Sequence, residues 1–596
     1  MNAPDTLTRL FFSAVENFAS KRAALCYRAA EGWQHITHQE LARKVKHAAL
    51  GLLELGIQPA SRIAIVSENC PEWAIADYAC LTARCADVSV YPTLLPSQVA
   101  FILKDSEACA AFVQDKAQYL KIAQHRDDLP ALKHIISFQS GIDGPGVLSL
   151  EELYQHGVAA ESRYPAYQND ACSVARDDLA TLIYTSGTTG DPKGVMLTHY
   201  NIASNVEAAL KVFDIGPADS CLSLLPLSHS FERMAGHYTM FSAGATINYV
   251  ESAEQLGANM IEVKPTITLF VPRVFEKIYA RVLETAVAGG AIKRRIFFWA
   301  RRTAENWADL RLAGKTIPAG LTIKKKVADR LVFSKIRART GGNIRFTISG
   351  GAPLSPEIAR FFYAAGITVL EGYGLTESAP VIAANPLQAP RISTVGTPVP
   401  GVEVRIAADG EVLARGPNIM KGYYNKPQAT REVIDEEGWL HTGDVGELDA
   451  DGYLRITDRK KDIIVTAGGK NIAPQPIENM VKTNKFVLNA VLVGDRRKYP
   501  ILMVVPDPDA LQKWVDERGV TVDREGLLRH PEVGALVERE VMGSLRDLAS
   551  YEMPKKVLII EDDFTIEAGD LTPSMKVKRK VVESKYRDRI EDMYRE

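Results

Sequence analysis

The stretch Tyr184–Gly194, YTSGTTGDPKG, holds the residue types of an anion-binding loop. Thr185, Ser186, Thr188 and Thr189 supply hydroxyl donors, Gly187 and Gly190 free the backbone to aim N–H groups at one point, and Lys193 adds a positive charge. Such a concavity binds phosphate. A plain surface turn would use the glycines and the proline, but not four hydroxyls and a lysine. The Walker loop is excluded, because Gly187 and Gly190 are too close together and Lys193 is followed by Gly194. The apolar Leu179–Tyr184 before the loop reads as a strand, and Asn201–Val212 after it has helical spacing.

The elements that must position this loop run through a chain of 596 residues, more than one core organises. Up to about residue 380, short apolar strands alternate with helical segments: Arg62–Val66, a helix around Trp73–Ala83, then Val88–Val90. That rhythm predicts layered α/β sheets with parallel pairing. Residues 385–401 are rich in Pro, Gly and small polar groups; Val402–Gly416 then alternates about Asp409–Gly410 as a hairpin, and Asp451–Gly452 marks a second turn. This β-rich part near 385–455 is expected to close as a small barrel. After DRKKD (Asp458–Asp462), the strands Val487–Val493, Ile501–Val505 and Val557–Ile560 alternate with amphipathic helices. The fold class expected is α/β, with a large N-terminal domain over 1–460 and a small α+β domain over 461–596.

Composition narrows the function. A net charge of −2 argues against nucleic acid as a partner. The seven cysteines form no CxxC pair and read as reduced thiols, which points to a cytoplasmic protein. The N-terminus has no signal-like apolar run, and no stretch is long enough to cross a bilayer. Between Lys293 and Arg339, however, stand fourteen Lys/Arg against three acids, interleaved with Ile296, Phe297, Phe298 and Trp299. This segment fits either peripheral contact with anionic membrane at its inner face, or a solvated helical pair with its aromatics turned to the core.

The phosphate loop, ISGGAPLS (Ile348–Ser355), EGYGLTES (Glu371–Ser378), GWLHTGD (Gly438–Asp444), DRKKDIIVTAGGKNI (Asp458–Ile472) and LTPSMKVKR (Leu571–Arg579) follow one another in this order. In that order they resemble the adenylate-forming superfamily of acyl-CoA synthetases, luciferases and peptide-synthetase adenylation domains. LPLSHSFER (Leu225–Arg233), VPRVFEKIY (Val271–Tyr279) and the long helical insert resemble its long-chain fatty acyl-CoA synthetase branch. The resemblance implies a fatty acid:CoA ligase that uses ATP, Mg²⁺ and coenzyme A, with a mobile C-terminal lid. Joining a carboxylate to the α-phosphate of ATP makes AMP the leaving group for a later thiol attack. Because both reactants are anions, the protein must supply positive charge.

The same resemblance implies the roles. Lys576 would neutralise the two anions, although Met575 stands before it where the family commonly has Gly. Glu377 would hold Mg²⁺ and Thr376 would donate to the α-phosphate, while a Thr–Glu pair also starts helices in general. Asp444 would accept from the ribose hydroxyls; Arg459 would be a second ribose contact or a surface ion pair. Gly350, Gly351 and Ala352 would lie along adenine with Tyr373 stacked on it, next to Glu371 and Gly372; a buried tight turn is the alternative for the glycines. The acyl chain would use the surface of His229, Phe231, Val271, Pro272 and Gly396–Gly401, with His229 at its border with the nucleotide or merely structural. The lid would pivot at Lys461 and bring Gly468 and Gly469 to the pantetheine arm of CoA. Two rival functions remain: an acyl-AMP ligase serving a separate carrier protein, and an inactive lipid-binding protein on the same fold.

Overall fold

The computed structural model describes residues 4–185, 192–518, 522, 524–528, 530–546, 548–565, 568–572 and 576–595. Ser186, Gly187, Thr188, Thr189 and Gly190 of the phosphate loop, and Met575, lie outside the described residues.

Two large sheets organise the N-terminal part. One has eight strands, in the spatial order 422–423, 193–198, 179–185, 86–90, 62–66, 110–113, 134–137 and 147–149. From Leu179–Thr185 to Val147–Ser149 the pairing is parallel. Its central strands are buried on both faces, as in a sheet covered by helices on both sides. The helix Pro71–Thr82 shows the same pressure: every residue but Glu72 is buried, and Pro71 at its first turn sacrifices no helical hydrogen bond.

The other sheet has nine strands, in the order 397–398, 381–384, 369–374, 346–349, 267–270, 220–223, 246–249, 25–29 and 32–36. The six from Val369–Gly374 to Leu25–Ala29 are parallel. Four of their carboxyl ends therefore open side by side, the usual place for a ligand in such a sheet.

The hairpin expected at Val402–Gly416 is present as Glu403–Ile406 paired with Glu411–Arg415. With Leu440–Leu448 and Leu454–Arg459 it forms a four-stranded antiparallel ladder, which stays open at its first and last strands instead of closing on itself. Beyond residue 461, the strands Val487–Val493, Ile501–Pro506 and Val557–Ile559 form a three-stranded sheet with helices Pro474–Lys482 and Pro531–Ser544 and a core of its own.

One element beside the loop was not read from the sequence. Lys193–Thr198 is a strand antiparallel to Leu179–Thr185, with Thr185 opposite Lys193, so the phosphate loop joins a hairpin. The helix expected over Asn201–Val212 is present as His199–Val212, capped by the Thr198 side chain.

Candidate active site

Each parallel strand of the nine-stranded sheet hands over one piece of the site. Ser220–Ser223 leads to His229, Ile267–Phe270 to Val271 and Pro272, Phe346–Ser349 to Gly350–Ala352, and Val369–Gly374 to Thr376 and Glu377. These strands are hydrogen-bonded neighbours, so residues up to about 150 positions apart in sequence share one rim.

Gly350 is buried, and a Cβ there would come within 2.9 Å of the Phe231 ring. Gly351 has φ +81° and, like Ala352, faces solvent. Together they form a smooth ledge with Phe231 beneath it. Glu371 accepts the Leu354 N–H at 3.2 Å, and burial raises its pKa to about 7. The Tyr373 hydroxyl donates to Asp444 Oδ2 at 2.6 Å, so its oxygen is committed to that carboxylate. Arg459, paired in register with Asp444 across the antiparallel ladder, lies 3.3 Å from Oδ1. Burial raises the Asp444 pKa, opposed by Arg459, the Tyr373 bond and Lys576.

Glu377 is held by Tyr423, whose hydroxyl donates to Oε1 at 2.8 Å. Tyr423 sits in the short strand beside Lys193–Thr198, and the Lys193 ammonium lies 4.9 Å from the centre of its ring. Main-chain bonds reinforce the bridge: Met420 N–H donates to Glu377 O, Lys421 to Met196 O, and Tyr424 to Gly194 O. The described ends of the phosphate loop and Glu377 are thus one braced unit. Tyr423 was not singled out from the sequence; nothing in GYYN marks which tyrosine turns inward. Thr376 Oγ1 meets Ser230 Oγ at 3.3 Å, joining this unit to the His229 turn.

His229 Nδ1 accepts the Phe231 N–H at 3.1 Å. Burial, assisted by the Lys576 charge, lowers its pKa to about 4, so the ring is neutral near pH 7. The turn carrying it is held from below. Asn69 donates to Ser223 Oγ and Leu225 O and accepts from Leu227 N–H. Arg233 is fully buried and bonds Asp77, Asp87 and Thr181, on three different elements. Asp87 and Thr181 are register partners at the heart of the eight-stranded sheet. One guanidinium thereby ties the His229 turn to the strand that enters the phosphate loop.

Lys576 reaches this site from the C-terminal part. Lys576 is exposed at the surface, yet the surrounding protein partly desolvates its ammonium. Desolvation and the Arg459 charge lower its pKa to about 8, with Asp444 and Glu377 pulling the other way. The ammonium therefore lies within electrostatic range of Asp444, Arg459, Glu377 and His229 at once. Gly468 and Gly469 are not brought to the site in this arrangement. Their loop bonds within itself and, through Ala467 N–H, to Arg497 O, while Lys470 lies over Tyr551. Lys461 is exposed in the turn between the two parts, and the Asp462 and Ile463 N–H groups both bond Arg459 O across it.

A cradle beside a hydroxyl-rich hairpin, a carboxylate braced by Tyr423, a second carboxylate paired with arginine and a lysine from the C-terminal part can bind a nucleotide and neutralise charge at its phosphates. The comparisons with known proteins agree. Residues 11–424 match the model of the AMP-binding enzyme family, and 461–596 that of the AMP-binding enzyme C-terminal domain. The long-chain-fatty-acid–CoA ligase FadD15 of Mycobacterium bovis is 38% identical over 569 residues, covering 94% of this chain and 92% of its own. The peroxisomal long chain acyl-CoA synthetase 6 of Arabidopsis thaliana is 35% identical over 591 residues, covering 95% and 82%. Among solved structures, the anthranilate CoA ligase AuaEII in complex with anthranoyl-AMP superimposes with a TM-score of 0.72 at 18% identity, covering 97% of this chain and 96% of its own, a likeness of fold. The chain belongs to the AMP-binding enzyme family.

Proposed function

We propose that the protein is a long-chain fatty acid:CoA ligase that forms AMP and pyrophosphate. What supports the reading most is that the Lys576 ammonium, carried by the C-terminal part, lies within electrostatic range of Asp444, Arg459 and Glu377 of the N-terminal part. In the first half-reaction a fatty-acid carboxylate oxygen attacks the α-phosphorus of ATP and pyrophosphate departs. Lys576 offsets the repulsion between the two anions, Thr376 donates to an α-phosphate oxygen, and the phosphate loop with Lys193 holds the departing phosphates. Asp444 accepts from the ribose hydroxyls and Arg459 donates to the ribose, while Gly350–Ala352 and Tyr373 hold the base. Glu377 fits Mg²⁺, which takes one or two carboxylates and fills its shell with water and phosphate oxygen; when bound it neutralises phosphate charge.

In the second half-reaction the CoA sulfur attacks the acyl carbonyl and AMP leaves. The C-terminal domain turns about Lys461, withdrawing Lys576 and presenting Gly468 and Gly469 to the pantetheine arm. Neutral His229 and Phe231 separate the acyl chain from the nucleotide. The protein works in the cytoplasm, in peripheral contact with anionic membrane through residues 293–339.

The test is pyrophosphate release across fatty acids of increasing length, with and without CoA. Release of AMP rather than ADP, a rate maximum at long chains and turnover that requires CoA are expected. Acyl-AMP that accumulates and is never passed to CoA would turn the reading toward a carrier-protein acceptor, and no release with any acid would end it.

A further inference from the structure

The helical insert of the nine-stranded sheet carries an unbalanced surface. Of the three acids between Lys293 and Arg339, Glu305 pairs with Arg301, Asp329 with Arg337 and Lys325, and Asp309 with Arg360. Those pairs use three of the fourteen bases of the segment. The other eleven are all exposed, and none has an ion-pair partner among the described residues.

Large apolar side chains stand among them. On the helix Gly290–Leu312, Phe297, Ala300, Ala304 and Ala308 face the core, while Ile292, Arg295, Trp299 and Arg302, also three and four apart, run along the opposite side. Ile292 is 76% exposed and Trp299 40%. The helix Ala319–Ala328 packs against this one and repeats the pattern, with Ile323 and Val327 exposed beside Lys326 and Arg330. Of the aromatics in the segment, Phe297 and Phe333 are in the core and Trp307 is half-buried, but Phe298 and Trp299 are exposed.

We infer that this face docks on an anionic lipid bilayer: the bases meet phosphodiester headgroups and the apolar tips enter the boundary with the acyl chains. The charge and the apolar tips select the occupant together. A nucleic acid would satisfy the bases but leave Ile292, Trp299 and Ile323 in water. A second copy would set eleven unpaired bases against eleven more. The inference deepens the membrane contact proposed above, but its test needs no substrate.

The test is co-flotation of the full chain with phosphatidylcholine vesicles, alone or mixed with phosphatidylglycerol. Binding only to the mixed vesicles, weakening as salt rises, is expected. Replacing Arg295, Arg302 and Arg330 together by Ala should lower partitioning about a hundred-fold, at roughly five-fold for each base. Ile292→Ser with Trp299→Ser should lower it at unchanged charge, while Lys498→Ala with Arg587→Ala, two exposed bases elsewhere, should not. Pyrophosphate release from detergent-dispersed fatty acid should match the parent in the insert variants, which separates failure of docking from failure of the ligase reading. Equal binding to both vesicle types, no binding to either, parental partitioning of the triple variant, or a change of oligomeric state on altering this face would overturn the inference.

Discussion

The Tyr423 hydroxyl donates to Glu377 Oε1 at 2.8 Å while the face of the same ring lies 4.9 Å from the Lys193 ammonium. One side chain therefore sets the carboxylate proposed for Mg²⁺ and braces the lysine of the phosphate loop. Tyr423→Phe keeps the ring and removes the oxygen. A hydrogen bond to a charged group contributes about 1.5–3 kcal/mol, so pyrophosphate release should fall about ten- to hundred-fold, with a higher Mg²⁺ requirement. An unchanged Mg²⁺ titration would show that Glu377 holds its place without help.

Lys576 makes the pH dependence of the first half-reaction specific. Its pKa is lowered to about 8 by desolvation and Arg459, so the ammonium is present below that pH and is lost as pH rises through it. For free enzyme, kcat/KM of pyrophosphate release should be level below about pH 8 and fall about ten-fold per unit above it. Lys576→Arg, charged throughout, should abolish that limb even if its rate is lower. Lys576→Ala should cost about 100- to 1000-fold in adenylate formation and leave thioester formation from supplied acyl-AMP close to parental. His229, held at about 4, contributes no limb near neutrality.

Lys461→Pro tests the pivot. The Lys461 N–H makes no backbone bond among the described residues, so proline removes no hydrogen bond in the arrangement seen here. It does fix φ. Adenylate formation should persist and transfer to CoA should fail, both measured by single-turnover kinetics. Equal loss of the two would show that no rotation at this residue separates them.

Arg233 bears on stability. It is buried against Asp77 and Asp87, which would face each other without a counter-charge if it were removed. Arg233→Leu should destabilise the N-terminal part by about 3–5 kcal/mol in denaturant unfolding, far more than loss of an exposed pair. A midpoint close to the parent's would mean that a carboxylate takes up a proton and the site repacks.

What the sequence revealed and what it hid divide along physical lines. The strand Val487–Val493 and the hairpin about Asp409–Gly410 were legible because alternation and turn chemistry are local signals. Lys193–Thr198 was not recognised as a strand, since six residues after a Gly–Pro loop carry too little period to declare themselves. Residues such as Asp444 and Lys576 could be named from their motifs. The network beneath them could not: Arg233 lies 156 residues from Asp77 and 146 from Asp87, and only the assembled sheet brings those charges together. Tyr373 was expected against the base, but its bond to Asp444 gives it a second task that no spacing announces.

Lys460 has a mechanical consequence. Its ammonium is moored to Asp409 at 2.5 Å and Glu411 at 3.0 Å, and its N–H to Gly443 O at 2.8 Å, one residue before the proposed pivot. A door turns true only if its jamb is rigid; here the jamb is an electrolyte-sensitive latch, screened progressively as ions are added. Concentrated salt should therefore blur where the swing begins and slow the handover between the two half-reactions before it weakens either one.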